Sequence, residues 1–161
     1  MLRMKQIKVY YNYGKNFEYA LVDDEDFECL NKYRWSLSSG YARTWDKQKQ
    51  RHLFMHRIVI NVPKGMITDH ANRSKIDNRK CNLRPCTHLQ NGWNKIVEVG
   101  LFSKYTGVTR NYTKDTWTAH ITVDGSRMKL GTYGTPEEAF EAYKEATIKH
   151  YGEFSPFSNT V

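Results

Sequence analysis

Cysteine is scarce here. Cys29, Cys81 and Cys86 are the only three in 161 residues, and an odd number at these spacings does not make the disulfide framework of a secreted domain. They are read as reduced thiols. Long apolar runs are absent too: nothing approaches the roughly 18 residues of a membrane span. The opening MLRMKQIKVYYNYGK has no apolar core of a secretory signal. These absences predict an intracellular protein with no membrane partner. No internal repeat or low-complexity tract is visible. Acidic residues are thin in one place. Residues 51–100 hold 3 Asp and Glu against 9 Lys and Arg, whereas residues 1–50 hold 7 against 9 and residues 101–161 hold 7 against 7. The middle of the chain therefore carries most of the net +8. A localised cationic patch points to a polyanion, most simply nucleic acid, with a solubilising basic surface as the plainer alternative. What is present in quantity is core material: 39% hydrophobic and 14% aromatic residues, enough for one medium domain or two small ones.

Along the chain, YALVD reads as a strand and DEDFECLNKY as a short helix, with acids in its first turn and Phe27, Leu30 and Tyr33 at i, i+3 and i+6. RWSLSSGYARTW reads as a hairpin about a Ser-Ser-Gly turn. RHLFMHRIVINV alternates, then takes helical spacing, and ends at Pro63 in the turn PKGM. A strand (MITDH), a loop (ANRSKIDNRK), a second extended piece (CNLRP) and a helix capped by Thr87 follow within about 30 residues. After a linker, three strands are expected in GVTRNY, TWTAHITVDG and RMKLGTY, with DGS as a hairpin turn. The final helix, TPEEAFEAYKEATIKHYG, has Thr135 as N-cap, Pro136 at N1, Glu138 completing a capping box and Gly152 as its stop. Its apolar stripe is Ala139, Phe140, Tyr143, Ala146 and Ile148.

The chemistry gathers in TDHANRSKIDNRKCNLRPCTHLQN, Thr68 to Asn91, with two histidines, two cysteines, two aspartates and four asparagines. A zinc site, a hydrolytic site and a polar loop are the three readings. Structural zinc wants two tight ligand pairs, and here there is one loose pair. For hydrolysis, Asp69 is a hard oxygen ligand for magnesium or manganese, and the adjacent His70 is a general base for water. Asn91, one turn into the following helix, offers a second oxygen ligand. That leaves most of the coordination sphere to water and phosphate, as magnesium prefers.

Together, MHRIVI…PKG…TDHANRSKIDNRKCNLRPCTHLQN resembles the HNH endonucleases, in particular the phage and intron-associated homing group, over residues 50–95. The resemblance implies a ββα-metal (His-Me finger) motif at about residues 66–95. It implies that Asp69 and Asn91 hold the metal, that His70 activates water, and that Asn82 orients His70 by a hydrogen bond fixing its tautomer. Asn91 stands where many relatives have histidine, which keeps the site oxygen-rich. His56 and Arg57 match the family's His-Arg pair, and Arg73, Arg79 and Arg84 join them as candidate phosphate contacts. His88 is read as a surface residue.

YTGVTRNYTKDTWTAHITVDGSRMKLGTYGTPEEAFEAYKEA is similar to the DNA-binding domain of plant ethylene-responsive factors, which lays a three-stranded sheet in the major groove with a helix behind it. Alternation puts Trp117, Ala119, Ile121 and Val123, with Met128 and Leu130, on the face toward the helix. Thr109, Asn111, His120, Thr122, Arg127 and Lys129 share the opposite face and are the candidate DNA contacts. The plant domains place more arginines there.

The expected fold class is α+β: a ββα-metal nuclease core followed by a three-stranded antiparallel sheet packed on one helix. The expected domains are 1–98 (nuclease with a β-rich N-terminal extension), a linker at 99–104, and 105–161 (DNA reader). The expected function is Mg2+- or Mn2+-dependent cleavage of double-stranded DNA, as a site-specific enzyme of a phage or mobile element in the cytoplasm of a bacterial host. It would act as a monomer in solution, with two protomers on one site as a route to cutting both strands. The alternatives are a DNA-binding regulator with an inert motif and a zinc-stabilised structural module.

Overall fold

A computed structural model describes residues 4–95 and 105–158; the expected linker at 99–104 lies outside them. The chain divides into two compact units, Met1–Asn91 and Gly92–Val161. Both mix strands and helices.

The first unit is built on a five-stranded sheet. β1 (Met4–Tyr11) and β2 (Asn16–Asp23) form an antiparallel hairpin, and α1 (Asp24–Leu30) carries the chain back so that β3 (Trp35–Ser38) lies parallel to β1. β4 (Tyr41–Asp46) and β5 (Arg51–Phe54) continue it antiparallel, giving the order β2-β1-β3-β4-β5. Period-two alternation decides the core. Ile7 and Val9 of β1 and Ala20 and Val22 of β2 point to one face, where they meet Leu30, Trp35, Ala42 and Met55. The Trp35 indole N–H donates to the Leu30 carbonyl at 2.8 Å, tying the end of α1 to the sheet. α1 stops at Leu30, so Tyr33, expected on its apolar stripe, is exposed. The segment after β5 turns into the short helix α2 (Met55–Val59), which buries Met55 and His56.

β6 (Ile67–His70) and β7 (Leu83–Cys86) pair antiparallel, with His70 opposite Leu83 and Asp69 opposite Arg84. α3 (His88–Trp93) follows. Thr87 Oγ1 accepts from the Gln90 backbone N–H while the Gln90 side chain accepts from the Thr87 N–H, a reciprocal cap. The order strand, loop, strand, helix is thus present.

In the second unit β8 (Val108–Asn111), β9 (Thr116–Val123) and β10 (Ser126–Tyr133) form an antiparallel sheet with β9 central. It packs on α4 (Pro136–Tyr151) through Val108, Ala119 and Ala139. Asp124 and Gly125 both take positive φ, as a two-residue hairpin turn requires. The Thr135–Glu138 capping box and Pro136 at the helix start are as expected. Two expectations fail. Ile148 and Met128 are 47% and 41% exposed, while Thr147 and Tyr151 are buried. The face that α4 buries steps by four from Ala139 through Tyr143 to Thr147 and Tyr151, so Ile148 lies about 120° from the middle of it. Leu130 occupies an irregularity in the β10–β9 register between Lys129 and Gly131.

Candidate functional site

The loop from Ala71 to Lys80 is long and polar, and its backbone needs partners. It finds them on β2 and within itself. Leu21 N–H donates to Ile76 O at 2.9 Å and Asn78 N–H donates to Leu21 O at 2.8 Å, while the Lys80 N–H donates to Asp23 Oδ2 at 2.7 Å. Lys80 Nζ also pairs with Glu25 and Asp26 at the start of α1. Asp77 sits at the centre of the loop. Its carboxylate accepts from Arg79 Nε at 2.8 Å and Nη2 at 2.6 Å, and from Asn72 Nδ2 at 2.8 Å. Burial works against its charge, but the bonds from Arg79 and Asn72 outweigh it and hold the carboxyl below its ordinary value.

This loop fixes the end of β6. Asn82, expected to bond the His70 ring, spends its side chain otherwise: Oδ1 accepts from Asn72 N–H and Nδ2 donates to Asp77 O, each at 2.8 Å. Its carbonyl accepts from Ala71 N–H at 2.8 Å. Asn82 therefore holds the two residues that follow His70. Asn78, which is fully buried, faces the His70 ring closely enough to favour its charged form. His70 is 5% exposed. Burial lowers its pKa, against opposing contributions from Asn78, Asp69 and Asp77, so the ring is neutral and able to accept a proton at neutral pH.

Asp69 is 4% exposed, and Arg84, opposite it in the pair, grips its Oδ2 through Nε at 2.9 Å and Nη2 at 2.7 Å. Asn91, one turn into α3, borders an open cavity of about 430 Å³ that is also lined by His56, Arg57 and Thr68. The His56 and His70 rings meet edge to face with centroids 5.3 Å apart, and Tyr41 contacts both. Burial, then His70 and Arg57, lower the His56 pKa to about 3. The structure thus brings His56 to His70 across 14 residues of sequence and leaves Arg57 exposed over the Phe54 ring. Arg79 and Arg84 are committed to internal ion pairs, and Arg73 lies exposed in a left-handed turn.

Cys86 is buried in the unit, and burial pushes its thiol up to about 11, the reverse of what a metal thiolate needs, while Cys81 is exposed. Among the described residues no three His, Cys, Asp or Glu side chains come together as a metal cluster. Of the two oxygen donors expected for a metal, the Asn91 amide borders the open cavity, whereas the Asp69 carboxylate does not line it and is held by Arg84. Such a hard, sparse oxygen set fits a cation that keeps most of its shell as water and phosphate oxygens.

In the second unit, the outer face of the sheet presents Thr109, Asn111, Thr122, Arg127 and Lys129 as exposed side chains. His120 is half-buried among them, with Nδ1 3.3 Å from Arg127 Nη2. Burial, Arg127 and Lys129 lower its pKa, so this face carries its charge on Arg127 and Lys129. Asn111 is partly engaged, its Oδ1 accepting from the N–H groups of Thr113 and Lys114.

The sequence missed Asn78, Asp77 and Asn72, which read as loop filler, and Tyr41, Arg43 and Thr68, which read as strand. The alternation that puts Tyr41 and Arg43 on one face of β4 is the signal that could have found two of them.

Comparison with known proteins covers both units. Residues 103–153 match the AP2 domain model. The chain is 29% identical over 141 residues to a protein of Acanthamoeba polyphaga mimivirus named an uncharacterized HNH endonuclease, covering 85% of this chain and 73% of that protein. An AP2-like ethylene-responsive transcription factor of Arabidopsis thaliana is 50% identical over 52 residues, and one of Oryza sativa subsp. japonica 48% over 52 residues. Each match takes in 31% of this chain, and 9% and 8% of those much longer factors. The two resemblances read from the sequence, to HNH endonucleases and to the ethylene-responsive-factor domain, are both met.

Proposed function

We propose that this protein is a metal-dependent endonuclease that hydrolyses phosphodiester bonds in double-stranded DNA, a site-specific enzyme of homing type from a phage or mobile element. The observation that carries the reading is His70. It is a buried, neutral histidine beside Asp69 at the end of β6, in a β6–β7–α3 unit of the order a ββα-metal nuclease uses. The name of the mimivirus relative points the same way, and the AP2 match supports DNA binding by the second unit.

In this reading a ring nitrogen of His70 takes a proton from water, and the resulting hydroxide attacks phosphorus in line. The P–O bond to the leaving 3′ oxygen breaks, and that oxygen is protonated. Asn82 holds the backbone that follows His70 and so fixes where the imidazole stands. Asp69 and Asn91 would hold Mg2+ or Mn2+, which when bound supplies charge stabilisation to the phosphoryl group. Binding it asks Arg84 to share or release Asp69 Oδ2. Thr109, Asn111, Thr122, Arg127 and Lys129 give the second unit hydrogen-bond donors and acceptors for bases and phosphates.

The Arg84–Asp69 pair is also the observation that favours a second reading, a DNA-binding regulator whose nuclease motif is inert. Incubating supercoiled plasmid that carries the protein's own gene region with Mg2+ or Mn2+ separates the two. The nuclease reading expects nicked or linear product, lost by about 10²–10⁴-fold in His70→Ala with gel-shift binding retained. A wild-type protein that binds this DNA and cuts none of it would establish the regulator instead.

A further inference from the structure

The cavity beside His70 contains more unused hydrogen-bonding capacity than a closed structure tolerates. Arg43 Nε, His56 Nδ1 and Thr68 Oγ1 are all buried, and none has a hydrogen-bond partner among the described residues. All three residues line the same cavity of about 430 Å³. Buried polar atoms are almost always paired, and three orphans on one wall call for something that pairs with them. They arrive from three elements: Arg43 from β4, His56 from α2, and Thr68 from β6, two residues before His70 and on the same side of the strand. The residue His56 is itself only 7% exposed, so its nitrogen is fixed in place.

The chemistry of the wall selects the ligand. Arg43 and Arg57 supply positive charge, and among the described residues no carboxylate lines the cavity. Arg43 Nε–H can only donate, the Thr68 hydroxyl is free to donate, and a neutral imidazole donates from Nδ1 in one of its tautomers. A group that accepts from all three and carries negative charge is a phosphate. The volume exceeds that of a phosphate alone, and the rings of Phe54 and Tyr41, set edge to face, offer apolar surface for what is attached to it.

Resting on the nuclease reading, we propose that this cavity seats the phosphodiester of the strand being cut, with Arg43 and Thr68 as the side chains that grip its non-bridging oxygens beside His70. Arg43 is then a substrate-binding residue contributed by the N-terminal sheet, which makes that sheet part of the site. His56 adds a third, uncharged contact, and the edge-to-face contact of its ring with His70 keeps the two groups in register.

The test uses the full chain in EDTA and reads the Arg43 Nε–H signal by nitrogen–proton NMR, assigned by its loss in Arg43→Lys. Adding a 16-base-pair duplex is expected to shift this signal. No shift with duplex would overturn the assignment. In Mg2+, single-turnover nicking of plasmid is expected to fall about 100-fold in Arg43→Gln and about tenfold in Thr68→Val. Thr68→Ser should restore the rate, and duplex affinity should change less than about threefold because other contacts dominate it. If His70→Ala abolishes nicking while Arg43→Gln and Thr68→Val nick at the wild-type rate, the nuclease reading stands and this assignment falls. If the wild type nicks nothing yet duplex moves the Arg43 signal, the phosphate contact stands and the nuclease reading falls.

Discussion

The two units solve the same problem in opposite ways. In the second unit, apart from the buried Thr147–Ser155 pair, polar side chains face mostly outward and apolar ones meet between sheet and helix. Its Arg110–Asp115 pair is an exposed bridge at 2.7 Å, with 40% and 77% of the side chains open to water. In the first unit the matching pair, Arg79–Asp77, lies inside, with Asp77 only 3% open. Around it the buried Asn78 and Asn82 and the exposed Asn72 form a polar framework where a loop would ordinarily be solvated. The second unit presents a surface to be read. The first spends polar interactions on holding a loop still beneath one histidine, and leaves three polar atoms over at a cavity.

Breaking both pairs is the strongest test of that contrast. Asp77→Ala is expected to cost the first unit about 3–5 kcal/mol in urea unfolding, because it strands a partly buried Arg79 and frees the loop. Asp115→Ala is expected to leave the unfolding of the second unit unchanged within error. Equal losses would show that the buried framework is no more important than a surface bridge.

The tight packing of the second unit can be broken at Gly107. Its φ is +77°, and an added Cβ would lie 2.2 Å from the Tyr143 ring on α4. Gly107→Ala should destabilise that unit by about 2–4 kcal/mol, combining left-handed strain with overpacking. Tyr143→Ala in the same chain should recover the packing part of the loss but not the strain.

His56 gives the contrast a pH dependence. Its pKa is about 6.5 when the chain is unfolded and about 3 when folded. Between those values the unfolded chain binds the proton and the folded one does not. Stability therefore falls as pH drops through this window, by about 1.4 kcal/mol per pH unit well inside it. His56→Gln should flatten the slope of unfolding free energy measured from pH 7 to pH 5. A slope unaltered by the substitution would place the acid sensitivity elsewhere.

The smallest effect is expected where the sequence was most legible. Thr135→Ala removes a cap that accepts from Glu138 N–H at 3.3 Å, and should lower the Tm of the second unit by the equivalent of about 1 kcal/mol. Thr135→Ser should restore it.

Why the second unit could be read so fully is that its determinants are local. The Asp-Gly turn, the alternating strands and the Thr-Pro-Glu-Glu start of α4 each act over two to five residues. The miss at Ile148 came from choosing a stripe by residue type rather than by its four-residue step. In the first unit Thr87 as a cap, the Trp35–Asp46 hairpin and the adjacency of Asp69 and His70 were legible for the same reason. That Asn82 would hold the backbone after His70 while Asn78 is buried near the ring was not. Asn78 and Asn82 are alike in type, and only the latch of the loop onto Leu21 of β2 turns Asn78 inward.

The amino-acid sequence by itself determined the strand, loop, strand, helix order around Asp69 and His70, the elements of the second unit, the caps and most of the residues that share a strand face, since these follow from backbone geometry and short-range side-chain bonds. Tertiary structure alone decided that β1 and β3 run parallel, that Arg84 closes on Asp69, and that Arg43, His56 and Thr68 converge beside His70. Those meetings depend on strand register and on which polar groups lose water together, and no span of sequence shorter than the folded unit contains both.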